Sequence, residues 1–450
     1  MAASTSAEIQ VEANASIGSI ELQNRALSRI DSAIAESQDQ EKGALIIDLK
    51  HLLEMSEPPF HPLDGFGIFR VPRDIRELNE KAYTPKYVSI GPFHFLANET
   101  LINMQKLKMK FFKMFVEKAQ VSVEELVGAV SDSAVNIRGC YAGTSELDNH
   151  NYLKMIVLDA SFIIVFFLIL FKPAEWEHRS EAFILKSQLM DDFLLLENQL
   201  PFFIIQTLYN LAFKSHSNYP SFVQLTFKIF ADYNSQNMPL DPNLKIMHFV
   251  DLLRTFFLPH RLPGRLGDSV MHLYTASQLH EAGLKFKVSS SKCLFDLKLT
   301  NGGLEIPRLQ VDNSTECLFR NIMVLEQFNY RWESYVSDYI RMLDFLIDTT
   351  KDVDLLVQKK ILVNNLGDSN AVATMVNNLN KGILLVDMNS DYCHFCQCLN
   401  LFYERPWHSW KVALRRDHFG NPWRTIATVG AIILLVLTLG QTICSIISVA

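Results

Sequence analysis

Residues 425–450, TIATVGAIILLVLTLGQTICSIISVA, carry no Asp, Glu, Lys, Arg or His. An α-helix rises about 1.5 Å per residue, so about 20 apolar residues cross a hydrocarbon layer of about 30 Å. This run is long enough to span with some tilt, and Gln441 is its only large polar side chain. A core helix of a soluble domain seldom runs so far without a charge. Trp407, Trp410 and Trp423 lie just upstream, where interfacial aromatics gather. On the same side stand Arg405, Lys411, Arg415, Arg416 and Arg424, against Glu404 and Asp417. By the positive-inside rule the residues before the span face the cytosol. The expectation is a tail-anchored, single-pass membrane protein whose basic, Trp-rich segment 401–424 approaches the headgroups. Which membrane is left open.

The opening MAASTSAEIQVEANASIGSI has no basic region leading into an apolar stretch, so no secretory signal is visible. A glycolipid anchor would need one. In a cytosolic domain the N-x-S/T triplets at Asn14, Asn98 and Asn313 stay unused. Within the span, Gly440, Cys444 and Ser448 share a helix face at four-residue spacing. Small residues let membrane helices approach, so this face is a candidate for homo-association.

The rest of the chain reads as a mainly α protein. Hydrophobic residues make up 48% of its 450 positions, enough to bury a large core rather than remain disordered. A net charge of -7 disfavours nucleic acid as a partner. Residues 1–40 form an acidic, partly disordered lead, and 41–67 an amphipathic helix and linker. Residues 68–400 form one large, mostly helical domain. Helical spacing marks Leu101–Val127, Leu153–Phe171, Glu181–Lys214, Ser221–Ala231 and Leu244–Phe257. It also marks Thr315–Phe328, Ser334–Thr349 and Val353–Asn364. The apolar run Phe162–Phe171 is too short to span and is expected in the core. Only about 284–311 breaks the pattern. Its alternating apolar residues and Asn301-Gly302-Gly303 turn predict a small β-ribbon, with Pro307 at an edge or bulge.

A series of blocks then carries a resemblance. Ile68-Phe69-Arg70-Val71-Pro72 is followed by Tyr83-x-Pro85 and by Ser89-Ile90-Gly91-Pro92-Phe93-His94. Leu158-Asp159-Ala160-Ser161-Phe162 comes next. The most distinctive block is Asp192-Phe193-Leu194-Leu195-Leu196-Glu197-Asn198-Gln199-Leu200-Pro201-Phe202. Arg320-Asn321 with Glu326-Gln327 follows, and Pro422-Trp423 leads into the span. In this order the blocks resemble the plant family called domain of unknown function 247, from Ile68 to the C-terminus. Two features depart from it: Phe95-Leu96 replaces a His and Gly common after His94, and Ala160 replaces a Gly. The resemblance implies a plant source, a helical domain and a C-terminal membrane helix, with no established enzyme activity. Some members are associated with self-incompatibility in grasses, which implies recognition or signalling.

The residues themselves show no phosphate-binding glycine loop, no zinc-protease helix and no nucleophile elbow, so no cofactor is expected. Cys393, Cys396 and Cys398, with His394 between, have the ligand types of a zinc site. Adjacency of Cys393 and His394 makes tetrahedral closure awkward, so reduced or lipidated thiols are the competing readings. Asp192 and Glu197 read as one helix, and the plain role of Glu197, Asn198 and Gln199 is as buried polar groups tied to neighbouring backbone or to Arg320. His94 reads as a loop-packing histidine. Two functions therefore stand side by side. One is a membrane-tethered interaction or signalling protein without catalysis. The other is a hydrolase or transferase using His94 with a carboxylate such as Glu197 or Asp159.

Overall fold

The computed structural model describes residues 67–405, apart from 120, 144–146, 177–185, 187, 214–217, 242, 266–269, 271, 301–302 and 384–386, together with 422–449. The N-terminal lead, the helix and linker expected over 41–67 (all but Gly67) and Lys411, Arg415 and Arg416 lie outside the described residues.

Helical periodicity accounts for most of the architecture. In chain order the longer helices are α1 (Glu99–Ala119), α2 (Val123–Asp132), α3 (Asn149–Phe171), α4 (Phe202–Phe213), α5 (Phe222–Ile229) and α6 (Phe249–Phe257). After them come α7 (Thr315–Asn329), α8 (Tyr335–Leu346), α9 (Thr350–Gln358), α10 (Ser369–Leu379), α11 (Ser390–Glu404) and α12 (Pro422–Val449).

Helix α3 is the axis. Asp148 caps its start by accepting the Asn151 N–H at 3.0 Å. From Tyr152 to Ile169 nearly every side chain is buried, so a helix apolar all round is matched by neighbours all round. Helices α1, α2, α4 and α5 pack on it. The Phe162–Phe171 run is core, as expected. Phe167 touches Phe193, Phe222, Phe230 and Phe249 with ring centroids 5.4 to 6.3 Å apart, and such aromatic clusters are where much of the chain's phenylalanine goes. On the other side, α7 packs against α6, α8 and α10.

The strands are short. β1 (Ile68–Phe69) runs parallel to β2 (Tyr141–Ala142). In the expected ribbon, β4 (Lys298–Thr300) and β5 (Gly303–Ile306) form an antiparallel hairpin, with Thr300 opposite Gly303. β3 (Phe286–Val288) joins β5 in parallel, giving the order β3-β5-β4. β6 (Leu309–Val311) leaves this sheet to pair in parallel with β7 (Leu362–Asn364). Pro307 falls between β5 and β6, where no strand needs its missing N–H.

Several helical expectations are corrected. Leu101–Val127 is two helices, because Ser122 and Glu125 form a capping box that starts α2 afresh. Val353–Asn364 ends as β7, and Leu244–Phe257 becomes helical only after His248. Helices α10 and α11 were not expected. Glu181–Lys214 is interrupted: 188–192 is helical, 193–201 is irregular, and α4 follows.

Candidate functional site: a buried polar knot

The interruption at 193–201 is where the chain's polar chemistry collects. Asn198 and Gln199 give their side-chain amides to backbone carbonyls that a helix would have used. Asn198 Nδ2 donates to Asp192 O at 3.0 Å, and Gln199 Nε2 donates to Phe193 O and Leu195 O at 2.8 and 2.9 Å. Side chains that compete in this way unwind helices, and Pro201 disfavours helical backbone at Leu200.

The same groups hold segment 86–91. Asp192 accepts the N–H groups of Lys86, Tyr87 and Val88 at 2.7 to 2.8 Å. Asn198 accepts from Ile90 N at 2.6 Å and donates to Val88 O at 2.9 Å. Gln199 Oε1 accepts from Phe249 N at 2.9 Å, and the Tyr141 hydroxyl donates to Gln199 O at 2.9 Å. Asn321, on α7, accepts from Leu196 N and donates to Ala82 O, both at 2.8 Å. Of the two partners expected for these groups, backbone serves them; Arg320 pairs with Glu316 and donates to Asn378 O.

Charged pairs surround the knot. Asp159 of α3 pairs with Lys108 of α1, and both are fully buried. Asp159 also accepts from Gly91 N at 2.9 Å, and Lys108 donates to Ser89 O at 2.5 Å. Glu197 accepts from Val71 N at 2.6 Å and from Arg76. Its other oxygen lies 2.9 Å from His94 Nε2, an ion-pair distance without hydrogen-bond alignment. Glu326 accepts from Arg254, Val336 N and Ser337 at 2.7 to 3.1 Å.

Burial and pairing oppose one another at each acid. Burial raises the Asp159 and Glu326 carboxyls above the ordinary range, although Lys108 and Arg254 pull them down. Burial pushes Asp192 up to about 6 against its three N–H donors. Glu197 goes the other way. Burial would raise it, but His94, Arg76 and the Val71 N–H together hold it below the usual value.

Asp338, on α8, is a further buried acid raised above its ordinary value. It accepts from Arg265 at 2.9 Å and from Asn389, yet burial pushes it up to about 7. Its folded value exceeds the unfolded value of about 3.9, so the native state holds the proton more tightly. Its contribution is fully present near pH 4 and is lost as pH rises through about 7. The melting temperature of Asp338→Asn in detergent should lack this part of the wild-type decline between those limits. Parallel pH curves for the two proteins would refute the assignment.

Among the described residues the centre of the knot is buried. His94 and Glu197 are buried, and neither lines the three described clefts of about 920, 550 and 300 Å³. The other expected site residues serve the same scaffold. Pro72 precedes a short helix at Arg73–Arg76, Tyr83 is buried, and Gly91 has φ +74° next to Pro92. The cysteines separate on α11. Cys393 and Cys396 are buried, with Cys396 Sγ 3.2 Å from Met342 Sδ, while Cys398 is half-exposed. Among the described residues no three His, Cys, Asp or Glu side chains group as metal ligands. Pro422, Trp423, Arg424, Gly440, Cys444 and Ser448 all belong to α12.

A sequence profile described as a plant protein of unknown function, DUF247, matches residues 68–437. The chain belongs to this family. The match runs from β1, through the knot, into α12. The UPF0481 protein At3g47200 of Arabidopsis thaliana is 30% identical, the alignment covering 88% of this chain and 91% of that protein. The putative UPF0481 protein At3g02645 of the same plant is 22% identical over 82% of this chain and 88% of its own. No solved structure matches. In this DUF247 protein the distinctive Asp192–Pro201 block thus acts as a clamp on its own segment 86–91.

Residue reasoning assigned no role to Lys108, Arg76 or Arg254. For Lys108 a signal existed. It lies on the buried stripe of α1 with Leu101, Phe111, Phe115 and Ala119. A lysine on a core stripe calls for a buried acid.

Proposed function

We propose that this family member is a membrane-tethered interaction protein whose helical body performs recognition rather than chemistry. A contrast between two apolar helices carries the reading. The most apolar stretch of α3 has mean hydropathy 2.5 and is 83% buried in the body, whereas Ile426–Ile447 has 2.2 and is 0% buried. Leu434, Leu435, Ile446 and Ile447 are each more than 60% exposed. Apolar surface left in water costs about 25 cal/mol per Å², so a bilayer is the natural cover. The basic residues before the span orient the body to the cytosol, and Gly440, Cys444 and Ser448 offer a face for a second copy.

Fractionation tests the tether. The full chain should remain in membranes after an alkaline carbonate wash, and a chain ending at Arg424 should be soluble. A truncated chain that stays in the membrane pellet would refute the anchor. Proximity labelling of the intact chain in plant tissue, with the truncation as control, identifies the partners.

A hydrolase or transferase reading draws on one observation, the 2.9 Å approach of His94 Nε2 to Glu197. Against it, Arg76 and the Val71 N–H occupy the other Glu197 oxygen, and the pair lies under the 68–76 segment. A general base must reach a substrate proton directly or through one water.

A further inference from the structure

We infer that the groove at the C-terminal end of α11 is a docking surface for an anionic bilayer, holding the body against the membrane to which α12 is proposed to tether it. The groove has a volume of about 550 Å³. Lys285, Leu299, Cys398, Leu401, Phe402 and Arg405 line it, with backbone and small residues between. No carboxylate is among its described lining residues. Leu401 is 64% exposed and Leu299 38%, so the groove presents apolar tips between two exposed cations. Glu404, next to Arg405, is engaged by the Tyr274 hydroxyl at 3.4 Å.

The groove is built rather than incidental. Gly303 has φ +130°, and a Cβ there would lie 2.1 Å from Lys285 O. Only glycine lets β5 approach β3 so closely, which sets Lys285 beside the β4–β5 hairpin that carries Leu299. The position also fits. The chain leaves the described body at Arg405, on the groove's rim, and α12 begins at Pro422. The intervening residues 406–421 let Arg405 and Pro422 lie at most about 60 Å apart when fully stretched. The groove is therefore on the part of the body nearest the proposed span along the chain. Exposed cations beside apolar tips match acidic headgroups over acyl chains, a pairing that neither neutral lipid nor an acidic protein face satisfies as well.

Cys398 reports on the groove from within. The full chain is reconstituted into phosphatidylcholine vesicles with or without phosphatidylserine. Alkylation of Cys398 by a water-soluble maleimide is followed by peptide mass spectrometry, with Cys140 as internal reference. Each basic side chain near an anionic leaflet changes partitioning about fivefold. Alkylation should therefore slow at least about fivefold in phosphatidylserine vesicles at low salt and recover in high salt. In Lys285→Glu/Arg405→Glu the rates in the two vesicle types should be equal, while insertion is unchanged. Equal wild-type rates in both vesicle types overturn the inference. So does slow alkylation already present in neutral vesicles, which would mean that protein covers the groove. The anchor is judged separately: a chain that carbonate strips from both vesicle types refutes the tether, and slowed alkylation before that wash would still support the groove.

Discussion

Lys108→Met is expected to cost about 3–5 kcal/mol, a large part of the stability of a typical domain. The substitution preserves the bulk of the side chain and removes its charge from a fully buried site. Asp159 loses its counter-ion and keeps only the Gly91 N–H, while Ser89 O loses its donor. An unpaired carboxylate in the interior escapes by taking up a proton. Burial already raises the Asp159 carboxyl, and Lys108 is the main opposing influence. The variant's folded Asp159 thus rises further above its unfolded value, and the native state binds the extra proton. The deficit should be smallest in mild acid and grow as pH rises through the carboxyl's folded titration. Urea midpoints in detergent at several pH values read this directly. Adding Asp159→Leu should recover part of the loss and remove its pH dependence. A pH-independent deficit would show that lost packing, not stranded charge, is responsible.

That pair also marks where sequence reading stops. The core was legible because periodicity reports burial. α3 and its Phe-rich run were placed correctly because apolar residues recur on every face. The ribbon was legible because Asn301-Gly302-Gly303 has local turn chemistry. The 193–201 break was not, since leucines continue through it at helical spacing. What unwinds it is side-chain capture of backbone by Asn198 and Gln199, whose partners include segments as far away as Ile90 and Phe249. β7 failed for a related reason, as its partner β6 lies about fifty residues earlier and no local window contains both. The Glu197–His94 approach joins residues about a hundred positions apart. The motif residues were named from the sequence, but their pairing depended on the fold.

Gly91→Ala tests whether the clamp is as rigid as its hydrogen bonds imply. Gly91 sits at φ +74°, where an L side chain is strained by about 1–2 kcal/mol. A Cβ there would also lie 2.6 Å from Gln199 O and 3.0 Å from the Tyr141 hydroxyl. The first is backbone pinned from both sides: Gln199 O accepts from Tyr141, and the Gln199 side chain bonds Phe193 O, Leu195 O and Phe249 N. It cannot retreat without loosening the knot. Overpacking adds about 1–3 kcal/mol, so the total loss should be about 2–5 kcal/mol. Gly143→Ala is the matched control. Gly143 has φ +112°, but no atom of the described residues lies within 4 Å of its added Cβ. It should lose only the conformational part, about 1–3 kcal/mol. The difference between the two urea midpoints measures the resistance of segment 91 and the 193–201 turn to separation. Equal losses would mean that the turn yields, and that the motif sets local conformation without locking the two segments together.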